Sequence, residues 1–333
     1  MSPSESVKVT VITPTYNRAD LLPETIESVL DQRLPGLEYI VIDDGSTDDT
    51  PRILKRYARW ISMLHHPNMG EAATVNRGWA ASRGDLIVTV SSDDPLLPGF
   101  FETGIDFMRT RPEVLVGYPD WRIIGPTSQP VADVQAPEFD YRAMLCSHEP
   151  FPGPGALMRR RALELAGGRD VRYRFVSDFD FWLRLGLHGP FARIPQRLAT
   201  WRSHSEALSR SERGERMAME QVQVVEALFA QPDLPSWLPP LRSVALSSAH
   251  YTAGVVLMDS SPAEARQHFF QCARMAPSTA FSGHRGLLTL AALLLPTAIL
   301  KPAREVRRAL RSRFYPAPSS AEAATKVDRG PRR

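Results

Sequence analysis

The chain has 333 residues, 43% of them hydrophobic and 23% charged, enough to build a sizeable core and too ordinary for a disordered, collagen-like or disulfide-stapled chain. Charge is uneven: residues 301–333 hold ten Lys/Arg against three Asp/Glu, so within a total of +3 the first 300 residues carry −4. A mildly acidic main body excludes a nucleic-acid-binding main domain.

Residues 1–6 are polar and run straight into residues 7–13 (VKVTVIT). That β-branched run predicts a buried strand, not a signal peptide, and a cytoplasmic protein. Asp20 is expected to cap a helix to about residue 32, with Leu22, Ile26, Val29 and Leu30 on one face. Residues 38–42 (EYIVI) read as a second strand, and Thr50-Pro51 opens a helix to about residue 57. A short strand at 61–64, a helix at 70–83 stopped by Gly84, and a strand at 85–91 (DLIVTVS) follow. This alternation predicts an α/β fold with a doubly wound, mostly parallel, Rossmann-like sheet.

Seven prolines between 119 and 154 predict a loop-rich middle. Strands at 156–160 and 191–194 flank an amphipathic helix at 179–186. Cys146 and Cys272 are isolated and read as small buried hydrophobes. QPDLPSWLPP, residues 231–240, reads as a linker between a domain over 1–230 and a helical region over 241–315, with 241–275 helical throughout. Residues 286–300 (GLLTLAALLLPTAIL) are apolar but too short, and broken by Pro296, for a membrane span. Six basic residues and one acid follow in 301–313, and 316–333 is a basic tail expected to be disordered. Segment 286–313 fits either core packing against 241–275 or peripheral contact with the inner face of a membrane.

In open α/β sheets, ligands bind beyond the carboxyl ends of the strands. Three polar clusters fall there: Pro14-Thr15-Tyr16-Asn17-Arg18 after the first strand, Asp43-Asp44-Gly45-Ser46 after the second, and Ser91-Ser92-Asp93-Asp94 after the fourth. No GxGxxG follows the first strand, and no GxxxxGK[ST] occurs anywhere. Carboxylates repel phosphate unless a divalent cation lies between them. Asp93 and Asp94 are hard oxygen ligands suited to Mg²⁺ or Mn²⁺, and a sugar–diphosphate–nucleoside fits such a crevice.

VTVITPTYNRADLLPETIESVLDQ, VIDDGSTDDT and NMGEAATVNRGWAASRGDLIVTVSSDD, followed by PFPGPGALMRRRALELAGG, SDFDFWLRL and LATWRSHSEALS, resemble a family 2 glycosyltransferase of the GT-A fold over residues 7–210. The resemblance implies that Asp44 recognises the nucleotide base and that Thr13, Pro14, Thr15 and Tyr16 cradle the nucleoside. It implies that Asp93 and Asp94 hold the metal and the diphosphate, Asp94 as the direct ligand; Ser91 stands where many members have Asp. It makes Asp178 the catalytic base, with Asp180 as fallback. Asn76 and Arg77 fall on its nucleotide side, and Arg202 and His204 in a terminal element near the diphosphate. Residues 151–155 (FPGPG) suit backbone contact with an acceptor sugar.

The expected reaction moves a sugar from a nucleotide-diphosphate sugar to an acceptor hydroxyl on a glycan or lipid-linked sugar. It inverts the sugar carbon, depends on a metal, and serves surface polysaccharide or glycoconjugate synthesis. A polyprenyl-phosphate sugar synthase of the same fold and a non-catalytic sugar-nucleotide-binding protein are the alternatives.

Overall fold

The computed structural model describes residues 8–147, 152–203, 212–258 and 260–295. The first half alternates β1 (Val9–Thr15), α1 (Leu22–Leu30), β2 (Glu38–Asp43), α2 (Thr50–Arg56), β3 (Ser62–His65), α3 (Glu71–Ala81) and β4 (Leu86–Thr89). β1 pairs in parallel with β2 and β4, and β2 with β3. The inner strands read as near-continuous apolar runs because helices cover both faces. Val9, Val11, Tyr39 and Val41 pack with Leu22, Ile26 and Val29 of α1. Ile12, Ile40 and Ile42 face the other way, onto Val75 and Trp79 of α3.

The second half comprises α4 (Phe100–Arg109), β5 (Val116–Ile124), β6 (Pro130–Val134), α5 (Tyr141–Ser147), β7 (Leu157–Arg159), α6 (Arg161–Ala166), α7 (Ser177–Leu185) and β8 (Phe191–Arg202). The sheet order is β3-β2-β1-β4-β7-β5-β6, with β8 also pairing β5. β7 runs antiparallel between β4 and β5, β6 antiparallel to β5, and β8 parallel to β5. Six of these eight strands therefore share one direction.

Two local expectations are corrected. Asp20 does not cap α1: the N-cap is Leu21, without a side-chain cap, and Pro23 occupies the first turn. Proline presets the helical φ and has no N–H to satisfy, so the turn needs no acceptor there. Nor is 119–154 simply loop. Pro119 lies inside β5, where the register against β8 shifts on both sides of Asp120, and such an irregularity tolerates the missing donor.

The C-terminal helices are α8 (Glu212–Phe229), α9 (Arg242–Leu257), α10 (Pro262–Met275), α11 (Pro277–Ala280) and α12 (Gly283–Leu294). The 241–275 run is therefore two helices, the second restarted by Pro262 in its first turn. In 231–240, Leu238 is fully buried and the Trp237 ring meets Tyr141 edge-on at 5.4 Å. One apolar cluster runs from Ile12 and Phe181 to Phe269 and Ala292, so the helices pack on the sheet's own core. Cys146 and Cys272 are unpaired thiols, the latter buried. Residues 296–333, including Pro296 and the basic tail, lie outside the described residues.

Gly78 brings α3 onto the sheet: a Cβ there would lie 2.5 Å from Ile12 Cγ2 and 2.6 Å from Ile42 Cδ1. Gly78→Val is expected to destabilise the protein by about 1–3 kcal/mol through overpacking. Urea unfolding should show a lower midpoint at unchanged slope; a midpoint at or above wild type would contradict this packing.

Candidate active site

The carboxyl ends of β1, β2 and β4 open on one crevice. Its floor is two loops tied side by side. Ser46 Oγ accepts from Asn17 N at 2.9 Å, Asn17 Oδ1 from Thr47 N at 2.8 Å, and Thr50 Oγ1 from Arg18 N at 2.9 Å. Asn17 takes a left-handed φ of 52° to make this turn. Thr13 is buried with its hydroxyl 3.1 Å from Tyr39 OH, and Pro14 is partly buried. Thr15 is buried with a hydroxyl lacking a partner among the described residues, whereas Tyr16 is 45% exposed.

Asp44 has a different first duty from the base contact expected of it. It is 4% exposed; its Oδ1 accepts from Met69 N at 2.7 Å and its Oδ2 from Gly70 N at 3.0 Å. Gly70 has φ +87°, a conformation that L side chains rarely adopt, and it opens α3. The carboxylate thus holds the rim of the crevice. His66 Nδ1 faces two acceptors, Pro67 O at 2.9 Å and Asp44 Oδ1 at 3.3 Å, so the ring proton sits on Nδ1.

Beyond β4, Asp93 is partly buried, with Arg18 Nε 3.6 Å from its Oδ2, and Asp94 is buried. Burial, then the neighbouring Asp93 charge, pushes the Asp94 carboxyl up to about 7, against a 2.7 Å bond from Arg202 N. Two adjacent, crowded carboxylates are a donor set that fits a hard divalent cation. Among the described residues no group of three or more His, Cys, Asp or Glu could hold an ion alone. The remaining ligands would come from water and phosphate oxygens, as Mg²⁺ prefers.

Arg202, expected near the diphosphate, is placed inside the protein. It is 2% exposed and its guanidinium serves the protein itself. Nε donates to Asp93 O at 2.8 Å, NH1 to Gly125 O, Pro126 O and Ser128 Oγ, and NH2 to Glu24 Oε2 at 2.8 Å. His204 and Phe151 lie outside the described residues.

The other two candidate carboxylates lie in the first turn of α7. Asp180, 7% exposed, accepts from Arg184 Nε at 3.0 Å and NH2 at 2.7 Å. Asp178 Oδ1 accepts from Phe179 N at 2.8 Å. Burial raises the Asp178 carboxyl, Arg169 pulls it back, and Glu71 adds to the rise. Asn76, expected on the nucleotide side, has its amide engaged by Arg169 N at 2.7 Å and Arg169 O at 2.8 Å, which ties α3 to the turn before α7. Arg77 is exposed, with no ion pair among the described residues. A cleft of about 840 Å³ between α1, residues 95–102 and the β5–β6 turn is lined by Glu24 and Ser128, the partners of Arg202, and by none of the residues the sequence singled out for the site.

Sequence reasoning missed Glu24, Glu71 and Arg169 as parts of this arrangement. Arg202 and Glu24 are 178 residues apart, and nothing local in either segment announces the contact.

A mixed sheet, mostly parallel, with carboxylates at the ends of its parallel strands is an α/β fold with a candidate binding crevice at the carboxyl edge. Residues 10–165 match the profile of glycosyl transferase family 2, and that segment is a domain of this family. It is 36% identical over 107 residues to the putative teichuronic acid biosynthesis glycosyltransferase TuaG of Bacillus subtilis, covering 31% of this chain and 42% of TuaG. The chain therefore spans less than half of that relative. S. aureus TarS 1-349 with UDP-GlcNAc superposes with a TM-score of 0.63 at 16% identity, over 91% of this chain and 92% of TarS 1-349. The Pyrobaculum calidifontis mannosyltransferase PcManGT with GDP-Man and Mn²⁺ gives 0.55 at 20%, over 92% and 81%. These two likenesses establish the GT-A fold.

Arg202→Met would leave Glu24 and the carbonyls of Asp93, Gly125 and Pro126 without their donor. Glu24 is itself 43% exposed and keeps its water, so the cost lies in the buried carbonyls left unpaired, about 1–3 kcal/mol each. Scanning calorimetry should show a clear fall in Tm, only partly restored by Arg202→Lys, which lacks the planar fork. An unchanged Tm in the Met variant would refute the bracing role.

Proposed function

We propose that the chain transfers a sugar from a nucleotide-diphosphate donor to a hydroxyl of a glycan or lipid-linked sugar, with inversion, in the assembly of a surface polysaccharide. The observation that carries this reading is the contrast between the two carboxylates of α7. Asp180 is engaged by Arg184, whereas Asp178 has only local backbone bonds and no ion pair among the described residues. An acceptor hydroxyl has a pKa far above 7, so its proton must leave as the new C–O bond forms. Asp178 accepts that proton. The bond from the sugar carbon to the diphosphate oxygen breaks on the opposite side, which gives inversion.

Mg²⁺ or Mn²⁺ on Asp94, with Asp93, would supply positive charge to the leaving diphosphate. Tyr16 offers an exposed ring to the nucleoside, Arg77 an unpaired cation to the diphosphate, and Asp44 holds the rim against which the base lies. The nucleotide sugars bound by TarS and PcManGT, the Mn²⁺ of the latter and the polymer named for TuaG support donor, metal and pathway.

Asp178→Asn keeps shape and removes the proton acceptor. Turnover should fall about 10²–10⁴-fold, with donor affinity retained by calorimetry. The same variant removes a half-buried charge that its surroundings disfavour, so its Tm at pH 7 should rise. Near wild-type turnover would reject Asp178 as the base.

A peripheral membrane contact is part of the same proposal. α12 exposes Leu287 (74%), Leu290 and Leu294 (76%), while Thr289 and Ala292 face the core. Six basic residues follow in 301–313. No helix among the described residues is long and apolar enough to cross a membrane. Apolar side chains beside basic ones suit an anionic leaflet, each base contributing about 1 kcal/mol. Full-length protein should co-sediment with phosphatidylserine vesicles at low salt and release as ionic strength rises. Leu287→Glu/Leu294→Glu should abolish binding. Indifference of the wild type to these vesicles would end the membrane reading.

A further inference from the structure

α9 and α10 face each other through a series of paired residues. Ser247 Oγ donates to Cys272 O at 2.9 Å and lies 3.3 Å from Cys272 Sγ. One turn further along α9 and one turn back along α10, His250 Nδ1 lies 2.9 Å from His268 Nδ1. One turn beyond that, a Cβ on Gly254 would sit 3.1 Å from Ala265 O and from the Phe269 ring, so the two backbones approach closely. The outer pairs fix the spacing of the middle one. Both imidazoles are half-buried, with ring centres 5.1 Å apart, so solvent reaches them.

The hydrogen bond between the two Nδ1 atoms needs a proton on one of them. Neutral imidazole also carries that proton on Nε2. Moving it there leaves two Nδ1 lone pairs facing each other, a donor set for borderline divalent metals. Two metal–nitrogen bonds of about 2.05 Å span about 2.9 Å at a right angle and about 3.3 Å at the tetrahedral angle. The observed 2.9 Å therefore matches adjacent ligands of a square or tetragonal ion, the geometry of Cu²⁺ and Ni²⁺, and is short for tetrahedral Zn²⁺. Glu264, exposed and one turn before His268, adds negative charge beside the pair.

We propose that His250 and His268 form a two-imidazole site for Cu²⁺ or Ni²⁺, completed by water, that staples α9 to α10. No proton is gained or lost overall: the Nδ1 proton moves to Nε2 of its own ring, and the metal takes its place between the rings. Among the described residues no third His, Cys, Asp or Glu completes the site, so binding depends on both rings. The site uses no residue of the crevice and does not rest on the sugar-transfer reading. Its effect extends to α12, because Arg266 of α10 donates from Nε to Ala292 O at 2.9 Å. An ion bound by the folded helices stabilises them by mass action.

The test uses the full chain with Mg²⁺ in excess to fill the crevice, titrated with CuCl₂, NiCl₂ or ZnCl₂. With one equivalent of Cu²⁺, electron paramagnetic resonance should show a tetragonal centre coupled to two nitrogens. His250→Gln and His268→Gln should each remove one coupling. Each should also weaken Cu²⁺ binding at least about tenfold, a loss that even outer-shell substitutions produce. Ni²⁺ should raise the Tm of the wild type and of Asp94→Ala, and leave that of either glutamine variant unmoved.

The chain has eight histidines. A two-nitrogen centre that survives in both glutamine variants would lie on other histidines and overturn the proposal. So would a wild type without such a centre, or Zn²⁺ bound more tightly than both Cu²⁺ and Ni²⁺. A Ni²⁺ response lost in Asp94→Ala but kept in His250→Gln would assign the ion to the crevice and overturn it as well. Anomalous scattering from a wild-type crystal soaked in NiCl₂ needs no variant, and should place the ion between the two rings; an ion found elsewhere, or none, refutes the site.

Discussion

Arg202 carries a full positive charge at the end of β8 with 2% exposure, and such a charge persists only where its donors find acceptors. The acceptors come from α1, the β5–β6 turn and the segment after β4. β4 and β8 are not neighbours in the sheet, since β7 and β5 lie between them. Asp93 and Asp94 are therefore tied across the sheet by Arg202, whose Nε donates to Asp93 O and whose backbone N donates to Asp94 Oδ1. Two further bonds act in the same sense: Thr200 Oγ1 donates to Pro95 O at 2.6 Å, and Leu97 N to Leu198 O at 2.8 Å. A planar fork reaching several elements at once is something lysine could not replace.

The crevice held this way is unfavourable for stability. Burial raises the carboxyls of Asp94, Asp178 and Asp180. A carboxyl raised on folding is best tolerated when protonated, so its stabilising share is lost as pH rises through the folded value. Asp133 and Asp170 behave oppositely: arginines hold them low, and their share is lost as pH falls. The arginine-paired acids thus favour the folded state at neutral pH, while the carboxyls raised by burial oppose folding there. A fold keeps such groups where chemistry needs them.

The first half of the fold was legible because its signals are local. Buried strands in a parallel sheet are short apolar runs, and the helices between them carry apolar residues at helical spacing, as Leu22, Ile26 and Val29 do. The second half was less so. Pro119 argues against a strand, and only its pairing with β8 reveals one. Leu238 and Trp237 in a proline-rich stretch look like linker until the helices that cover them are in place. In the site, the carboxylates at strand ends were found because topology brings strand ends together. Glu24, Glu71 and Arg169 were not found, because their partners are set by tertiary contacts across 98 to 178 residues of sequence.

Asp44, Asn76 and Arg202 share one reason for being read as ligand contacts. Each is a strong hydrogen-bonding group at a crevice, and sequence alone does not tell whether it touches a ligand or holds a loop. The irregular backbone around a crevice has N–H and C=O groups outside any ladder, and each needs a partner. Met69 N and Gly70 N find Asp44, Arg169 N and O find Asn76, and the carbonyls of Gly125 and Pro126 find Arg202. Side chains that satisfy the backbone have less left to offer a substrate. Among the described residues, Thr15 Oγ1, His66 Nε2 and Arg169 Nε are buried atoms near the crevice that the protein's own contacts do not account for.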